Sequence, residues 1–213
     1  MVAVKICGLS DEWAVRAAIT GRAAYLGFVF YPPSPRAVTA AEAARLGAMV
    51  PAGISRVGLF VDAADETIAA ILAAVPLDLL QFHGNETPQR VAAARARFGR
   101  KIIKAVPVGD RADLVRAAEY QDAADLLLFD ARPPRDPSAL PGGNGLAFDW
   151  SLLAGHEWRR PWLLSGGLTT ELLADAVRLS GAVCVDVSSG VESARGRKDP
   201  GKIKAFLAAA DTL

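Results

Sequence analysis

The sequence predicts a single-domain α/β protein folded as a closed (β/α)8 barrel, the TIM barrel. Eight short apolar runs alternate with eight Ala- and Leu-rich stretches of helical character along 213 residues. Strict alternation indicates a parallel sheet, and eight units favour closure at the short end of the usual range of roughly 200 to over 400 residues. An open doubly wound sheet is the alternative, but no G-x-G-x-x-G pattern follows the first strand. No linker or composition break divides residues 1–213 into two domains.

The individual elements follow from local patterns. Strands are predicted where β-branched and other apolar residues run together: 2–7, 24–30, 56–61, 77–82, 101–106, 125–129, 162–164 and 182–187. Helices are predicted in the stretches between and after them: 11–20, 40–50, 65–75, 88–98, 112–120, 150–154, 170–179 and 200–210. Capping residues support several helix starts, such as Thr87 before Pro88.

Composition and charge limit the kinds of partner and the cellular compartment that we expect for this protein. The net charge is +1 and no basic stripe is interleaved with aromatic residues, which argues against nucleic acid. No apolar run approaches the roughly 18 residues needed to span a bilayer, and no signal-peptide pattern precedes the first strand. Cys7 and Cys184 show neither metal spacing nor a disulfide framework, so a reducing cytoplasm is expected. A monomer is expected, with a homodimer as the alternative.

Functional residues of such barrels lie at the C-terminal ends of strands, and Cys7 ends the first strand. Val2, Val4 and Ile6 alternate with Lys5 and Cys7, so the apolar face should pack against helices. A lone cysteine is more often a packing residue than a catalyst. Here the Lys5 ammonium, in phase with the thiol, should favour the thiolate and lower the pKa of Cys7 toward neutrality. Cys7 is therefore a candidate general base.

Asp130 is the candidate partner acid. It follows the sixth predicted strand in phase with Leu126 and Leu128, which places it at the barrel mouth, where partial desolvation favours proton donation. A capping or loop aspartate is the alternative. Gln81 and His83 share one face at the end of the fourth strand, and His83 is able to titrate near neutral pH, although a structural turn histidine is more common.

Three glycine-rich loops follow the sixth, seventh and eighth strands. Glycines let consecutive backbone N–H groups approach an anion, and a phosphate site near strands seven and eight recurs in barrels. A single Gly-Gly is an ordinary turn signal, but three such loops at neighbouring strand ends indicate a phosphate cradle. The candidate substrate-binding residues are Gly142, Gly143, Gly145, Ser165, Gly166, Gly167, Asp186, Ser188, Ser189 and Gly190.

Arg36 closes a loop containing three prolines, which should hold the guanidinium at the rim of the site. A fixed arginine suits a bidentate contact with a carboxylate, whereas a solvated arginine is the alternative. The long segment 131–148 is either disordered or an active-site lid, and its glycine-rich end, leading into 148–150, favours the lid.

Together these stretches resemble the phosphoribosylanthranilate isomerases of tryptophan biosynthesis. The resemblance runs through the whole chain in one register and is carried by 5–8, 27–30, 34–36, 57–61, 80–84, Asp130, 142–150, 165–168 and 186–192, and it continues to 198–199. Single pieces such as 165–167 are common, but the combination is specific. Residues 132–140 are rich in proline, which departs from the family pattern, and they belong to the predicted lid.

The resemblance implies an Amadori rearrangement of an aminoaldose phosphate to an aminoketose phosphate, without metal or cofactor. In it, Asp130 would be the general acid that opens the furanose ring and Cys7 the general base that takes the C2 proton. Arg36 would hold the anthranilate carboxylate, and the glycine loops would hold the phosphate of a small phosphoribosyl substrate. Lys5, Gln81 and His83 would support these groups.

Two alternatives remain at this stage. A related phosphosugar barrel of histidine biosynthesis, or one that accepts both substrates, performs similar chemistry, but that family uses aspartates as acid and base where this chain has Cys7. A ribulose-phosphate epimerase would need metal ligands, and the two histidines of this chain are few for that purpose. A non-catalytic phosphate-binding barrel would keep the glycine loops without using Cys7 or Asp130.

Overall fold

The structure, a computed structural model, describes residues 1–136 and 140–213. Eight strands form a closed barrel in chain order, and each pairs in parallel with its neighbours. Strand β8 pairs with β1 and closes the barrel, which confirms the predicted fold. The strands are β1 Ala3–Cys7, β2 Tyr25–Val29, β3 Ser55–Phe60, β4 Leu79–Phe82, β5 Lys101–Val108, β6 Leu126–Ala131, β7 Trp162–Leu164 and β8 Cys184–Val187.

Seven α-helices among the described residues surround the strands. They are α1 Glu12–Thr20, α2 Ala40–Gly47, α3 Asp65–Ala74, α4 Pro88–Phe98, α5 Arg111–Ala118, α6 Leu173–Ser180 and α7 Pro200–Asp211. Thr87 caps α4 as predicted, accepting from the backbone N of Arg90 at 3.2 Å, and the Asp11 side chain caps α1, accepting from the backbone N of Ala14 at 2.9 Å. The starts of α3 and α6 have no side-chain cap. Within this part of the chain, none of the helices combines the length and apolar character needed to cross a bilayer.

The segment after β6 departs from the prediction. The helix predicted at 150–154 is a single 3₁₀ turn, Trp150–Leu153, with Asp149 as its cap accepting from the backbone N of Ser151 at 3.0 Å. The turn ends at Ala154, whose backbone is extended, and Gly155 follows with a left-handed φ of 73°.

An antiparallel ribbon that the sequence pattern did not predict follows β8. A 3₁₀ turn, Ser189–Val191, leads into β9 (Glu192–Ala194), and β10 (Arg197–Lys198) returns beside it. Strands of three and two residues are too short for an alternating pattern to reveal them.

Apolar residues fill two layers, one between the sheet and the helices and one inside the barrel. Val2, Val4 and Ile6 belong to the outer layer, as their alternation predicts. The inner cluster consists of Val57, Leu79, Ile103, Ala105, Leu128 and Leu163. Cys184, at the start of β8, packs against this inner cluster.

Candidate active site

One cavity lies where the C-terminal ends of the strands meet. It has a volume of about 770 Å³ including its open mouth. Thirteen of the predicted site residues line it: Cys7, Arg36, His83, Asp130, Gly142, Gly143, Gly145, Ser165, Gly166, Gly167, Asp186, Ser188 and Ser189. Lys5 and Gln81 are fully buried beneath these residues. Gly190 is not among the lining residues, and a Cβ at this position would collide with the carbonyl oxygen of Leu168.

The floor of the cavity contains Cys7 and an ion pair inside the barrel. Lys5 Nζ donates to Asp186 Oδ1 at 2.8 Å, and Ser165 Oγ donates to Asp186 Oδ2 at 3.4 Å. Gly27 of β2 makes room for them: a Cβ at this position would lie 3.0 Å from Cys7 Sγ and 3.3 Å from Lys5 Nζ. The thiol and the ammonium therefore both border the space left by Gly27, which was not predicted as a site residue.

Burial dominates the ionisation of Cys7. Desolvation raises the pKa of Cys7 above its ordinary value, the Asp186 carboxylate raises it further, and Lys5 lowers it without reversing the net shift. The expectation that Lys5 brings this pKa toward neutrality was therefore wrong in its net direction. Burial alone would lower the pKa of Lys5, but Asp186 and Cys7 raise it on balance, so Lys5 stays charged.

Asp130 belongs to a hydrogen-bonded series that begins on β4. Asp130 Oδ1 accepts from the backbone N of Ala131 at 2.9 Å, and Oδ2 lies 3.2 Å from His83 Nε2. Gln81 Nε2 donates to His83 Nδ1 at 2.9 Å, so Nε2, which faces Asp130, is the ring nitrogen that carries the N–H group. Gly142 covers the pair, since a Cβ there would lie 2.6 Å from His83 Nε2 and 2.8 Å from Asp130 Oδ2. The three predicted side chains thus meet in one series.

Arg36 is buried and already holds a carboxylate of the protein. Its Nε donates to Glu192 Oε1 at 2.6 Å and its Nη2 donates to Glu192 Oε2 at 3.0 Å. Its Nη2 also donates to the carbonyl oxygen of Gly143 at 3.2 Å. Glu192 therefore occupies the Nε–Nη2 edge that a bidentate ligand contact would use. Within 1–136 and 140–213, Nη1 of Arg36 makes no hydrogen bond to the protein. The expected side-on contact between Arg36 and a ligand carboxylate was therefore wrong.

Glu192 and Lys198 were missed as site residues. Lys198 Nζ donates to Glu192 Oε1 at 2.8 Å, and to the carbonyl oxygen and Oγ of Ser188 at 2.9 and 3.0 Å. Burial would raise the pKa of Glu192, but Arg36 and Lys198 lower it to about 2. The available signal was their charge in a stretch that follows the last barrel strand.

The three glycine-rich loops pack into one wall of the cavity. Gly166 has a φ of 88°, and a Cβ there would lie 2.8 Å from the backbone N of Ala131 at the end of β6. Only glycine permits this backbone conformation at such a close approach. The loop after β7 therefore lies directly against the strand that carries Asp130.

The predicted lid, 131–148, includes residues 137–139, which lie outside the described part of the chain. Arg132 near its start binds Asp113, and its Nη2 donates to Asp110 Oδ2 at 2.9 Å. Near its end, Asn144 Nδ2 donates to the carbonyl oxygen of Leu140 at 2.8 Å. The contacts of Arg132 attach the start of the segment to the beginning of α5, and the contact of Asn144 closes a turn within the segment.

The fold and the site define a (β/α)8-barrel enzyme whose cavity is lined by a buried cysteine, an aspartate, an arginine and glycine-rich loops. Within 1–136 and 140–213, no group of three or more His, Cys, Asp or Glu side chains is arranged to hold a metal ion. The model of the N-(5'-phosphoribosyl)anthranilate (PRA) isomerase family matches residues 4–209, and the chain belongs to this family.

Relatives of known name and structure agree with this assignment. The chain is 58% identical over 209 residues to an N-(5'-phosphoribosyl)anthranilate isomerase of Cereibacter sphaeroides, covering 98% of each chain. It is 56% identical over 212 residues to one of Rhodospirillum centenum, covering 100% of this chain and 99% of that one. It is also similar to the crystal structure of the phosphoribosyl anthranilate isomerase of Thermotoga maritima, with a TM-score of 0.89, 36% identity and full coverage of both chains.

A ligand complex lies among the similar structures. It is a phosphoribosyl anthranilate isomerase in complex with reduced 1-(o-carboxyphenylamino)-1-deoxyribulose 5-phosphate. Its TM-score is 0.86 at 34% identity, with full coverage of both chains.

Proposed function

We propose that this isomerase converts N-(5-phosphoribosyl)anthranilate, an aminoaldose, into 1-(2-carboxyphenylamino)-1-deoxyribulose 5-phosphate, with Asp130 as the acid and Cys7 as the base. The observation that carries the proposal is that both side chains border one cavity together with Arg36 and the glycine-rich loops. An Amadori rearrangement needs a proton donor, a proton acceptor and grips for the two anionic ends of this substrate.

Ring opening is assigned to Asp130. Its carboxylic acid gives a proton to the furanose ring oxygen, the C1–O bond breaks, and the nitrogen lone pair forms the C1=N bond of an iminium ion. The backbone N of Ala131 and Nε2 of His83 are placed to donate to the carboxylate that remains, which stabilises the state after proton transfer.

Removal of the C2 proton is assigned to the thiolate of Cys7. The C–H electron pair forms the C1=C2 bond, and the C1=N electrons return to nitrogen, which gives an enolamine. Loss of the C2 hydroxyl proton and protonation of C1 then give the ketone. Lys5 favours the thiolate electrostatically, and the positive iminium ion beside Cys7 favours it further during turnover. The reaction is an isomerisation, so all atoms and electrons balance.

The two anionic ends of the substrate are assigned to different groups that line the cavity. Arg36 Nη1 would contact the anthranilate carboxylate, and backbone N–H groups of the loops 142–145, 165–167 and 188–190 would bind the phosphate. A thiol that acts as a base needs a reducing compartment, so we place the protein in the cytoplasm.

Synthesised phosphoribosylanthranilate tests the proposal through the fall of its anthranilate fluorescence in the presence of EDTA. Cys7→Ser and Asp130→Asn should each lower kcat by about 10²–10⁴-fold, while the affinity for the product changes little. Full turnover in both variants would remove the assigned mechanism. Loss of wild-type turnover in EDTA would favour a metal-dependent isomerase, and product binding without turnover would favour a non-catalytic barrel.

A further inference from the structure

The acid–base chemistry leaves unexplained a buried ionic cluster formed by Arg36, Glu192 and Lys198. Their exposed fractions are 4%, 8% and 4%, although Glu192 and Lys198 belong to the short ribbon outside the barrel. Charged side chains are rarely buried unless they are paired, and here two cations share one carboxylate. The cluster therefore carries one positive charge in excess next to the cavity.

The contacts fix the orientation of the Arg36 guanidinium. The Glu192 carboxylate accepts hydrogen bonds from Arg36 Nε and Nη2 at 2.6 and 3.0 Å, and the carbonyl oxygen of Gly143 also accepts from Nη2, at 3.2 Å. A guanidinium is planar, so occupation of one edge determines where Nη1 points. A carboxylate that enters the cavity would meet Nη1 end-on.

Lys198 joins this cluster to the strand that carries Cys7. Its three N–H groups are matched by Glu192 Oε1 and by the carbonyl oxygen and Oγ of Ser188. Ser188 Oγ in turn donates to the carbonyl oxygen of Cys7 at 3.0 Å. A continuous series of hydrogen bonds thus runs from the guanidinium to the backbone of the proposed base.

We propose that Glu192 and Lys198 are positioning residues. Glu192 holds Arg36 so that Nη1 meets the ring carboxylate, and Lys198 sets the distance between this clamp and Cys7. The inference rests on the proposed function, in which Arg36 binds the anthranilate carboxylate. It adds that the ribbon β9–β10, and not the loop of Arg36 alone, fixes the substrate ring relative to the base.

The two residues should differ in their kinetic effects. Glu192→Gln keeps the shape but leaves two cations without their anion, so Arg36 loses its orientation and the KM for phosphoribosylanthranilate rises about tenfold or more, with kcat within about twofold. Lys198→Met also frees Ser188, so it should raise KM and lower kcat about tenfold. Ribulose 5-phosphate lacks the ring carboxylate, and its Kd measured by calorimetry should be unchanged by Glu192→Gln.

Asp78→Asn is the matched control. Asp78 accepts from Arg56 Nε and Nη2 at 2.9 and 3.0 Å, the same side-on geometry, and lies just before β4 at the opposite end of the barrel. It should change neither KM nor kcat. If Glu192→Gln fails to fold, Glu192→Asp carries the test, because it keeps the charge and shortens the arm.

Arg36→Met separates the carboxylate contact of Arg36 from the positioning role of Glu192. If it raises KM while Glu192→Gln and Glu192→Asp do not, the positioning role is wrong and the proposed function stands. If Arg36→Met leaves KM unchanged, the carboxylate assignment is wrong and the positioning role falls with it. If Glu192→Gln weakens ribulose 5-phosphate as much as the full substrate, Glu192 is only structural and the inference is overturned.

Discussion

Lys5 Nζ donates to Asp186 Oδ1 at 2.8 Å inside the barrel, two residues before Cys7 on the same strand. A buried ion pair contributes little net stability compared with apolar packing, because desolvation offsets the attraction between the charges. Its position suggests a different use, since the two opposite charges act in opposite directions on the neighbouring thiol.

Removing either charge should move the pKa of Cys7 in a predictable direction. The thiolate is the charged form, so Lys5→Met raises the pKa of Cys7 and Asp186→Asn lowers it. The pKa of Cys7 can be measured from the rate of iodoacetamide alkylation as a function of pH. The Cys184→Ala background removes the second thiol. Lys5→Met should also lower kcat about tenfold. Superimposable alkylation profiles for all three proteins would show that the pair does not act on Cys7.

Gly27→Ala tests the space shared by the thiol and the ammonium. The new methyl group would lie 3.0 Å from Cys7 Sγ, closer than van der Waals contact allows, so the thiol must shift. Small misplacements of reacting groups cost up to about 100-fold in rate, and we expect kcat to fall by 10- to 100-fold with little change in KM.

Gly47→Ala is the control for that substitution. Gly47 ends α2, and the nearest atom to its added Cβ, Arg56 Cδ, is 3.8 Å away, which is ordinary contact. Activity should be unchanged. A Gly27→Ala enzyme with the activity of Gly47→Ala would show that the position of Cys7 is not critical.

His83→Gln should lower kcat about tenfold, because Asp130 loses the donor that stabilises its carboxylate after proton transfer. Gln81→Leu removes the group that orients the imidazole and should have a smaller effect in the same direction. His156→Gln, at an exposed position, is the control and should leave kcat unchanged. An effect of His156→Gln equal to that of His83→Gln would exclude a specific role for His83.

The fold and the location of Cys7 and Asp130 at one cavity could be predicted because they depend on period and order alone. Alternation of eight strands and helices determines a parallel barrel, and the two-residue period of β1 and β6 carries Cys7 and Asp130 to its mouth. The ribbon escaped prediction because its strands are too short to show a pattern.

Contacts between distant residues could not be predicted from local patterns. Glu192 is 156 residues from Arg36, and nothing in the loop of Arg36 indicates that its guanidinium is already paired. The direction of the pKa shift of Cys7 depends on its burial and on Asp186 of β8. The sequence of β1 alone indicates neither of them. The requirement for Gly27 follows from the register Cys7↔Gly27 of β1 and β2.

The lowered pKa of Glu192 predicts that the folded protein loses stability in acid. Its pKa is about 2 in the folded protein, against an ordinary value of 4.5, so the folded state binds fewer protons than the unfolded chain between these values. The stabilisation is complete above pH 4.5 and is lost as the pH falls toward 2. A shift of this size corresponds to about 3 kcal/mol of unfolding free energy.

Urea unfolding from pH 6 to pH 3 should therefore show a weaker dependence on pH for Glu192→Gln than for wild type. Asp175→Asn, in the exposed pair with Arg178, should follow wild type, and parallel curves for all three proteins would contradict the prediction.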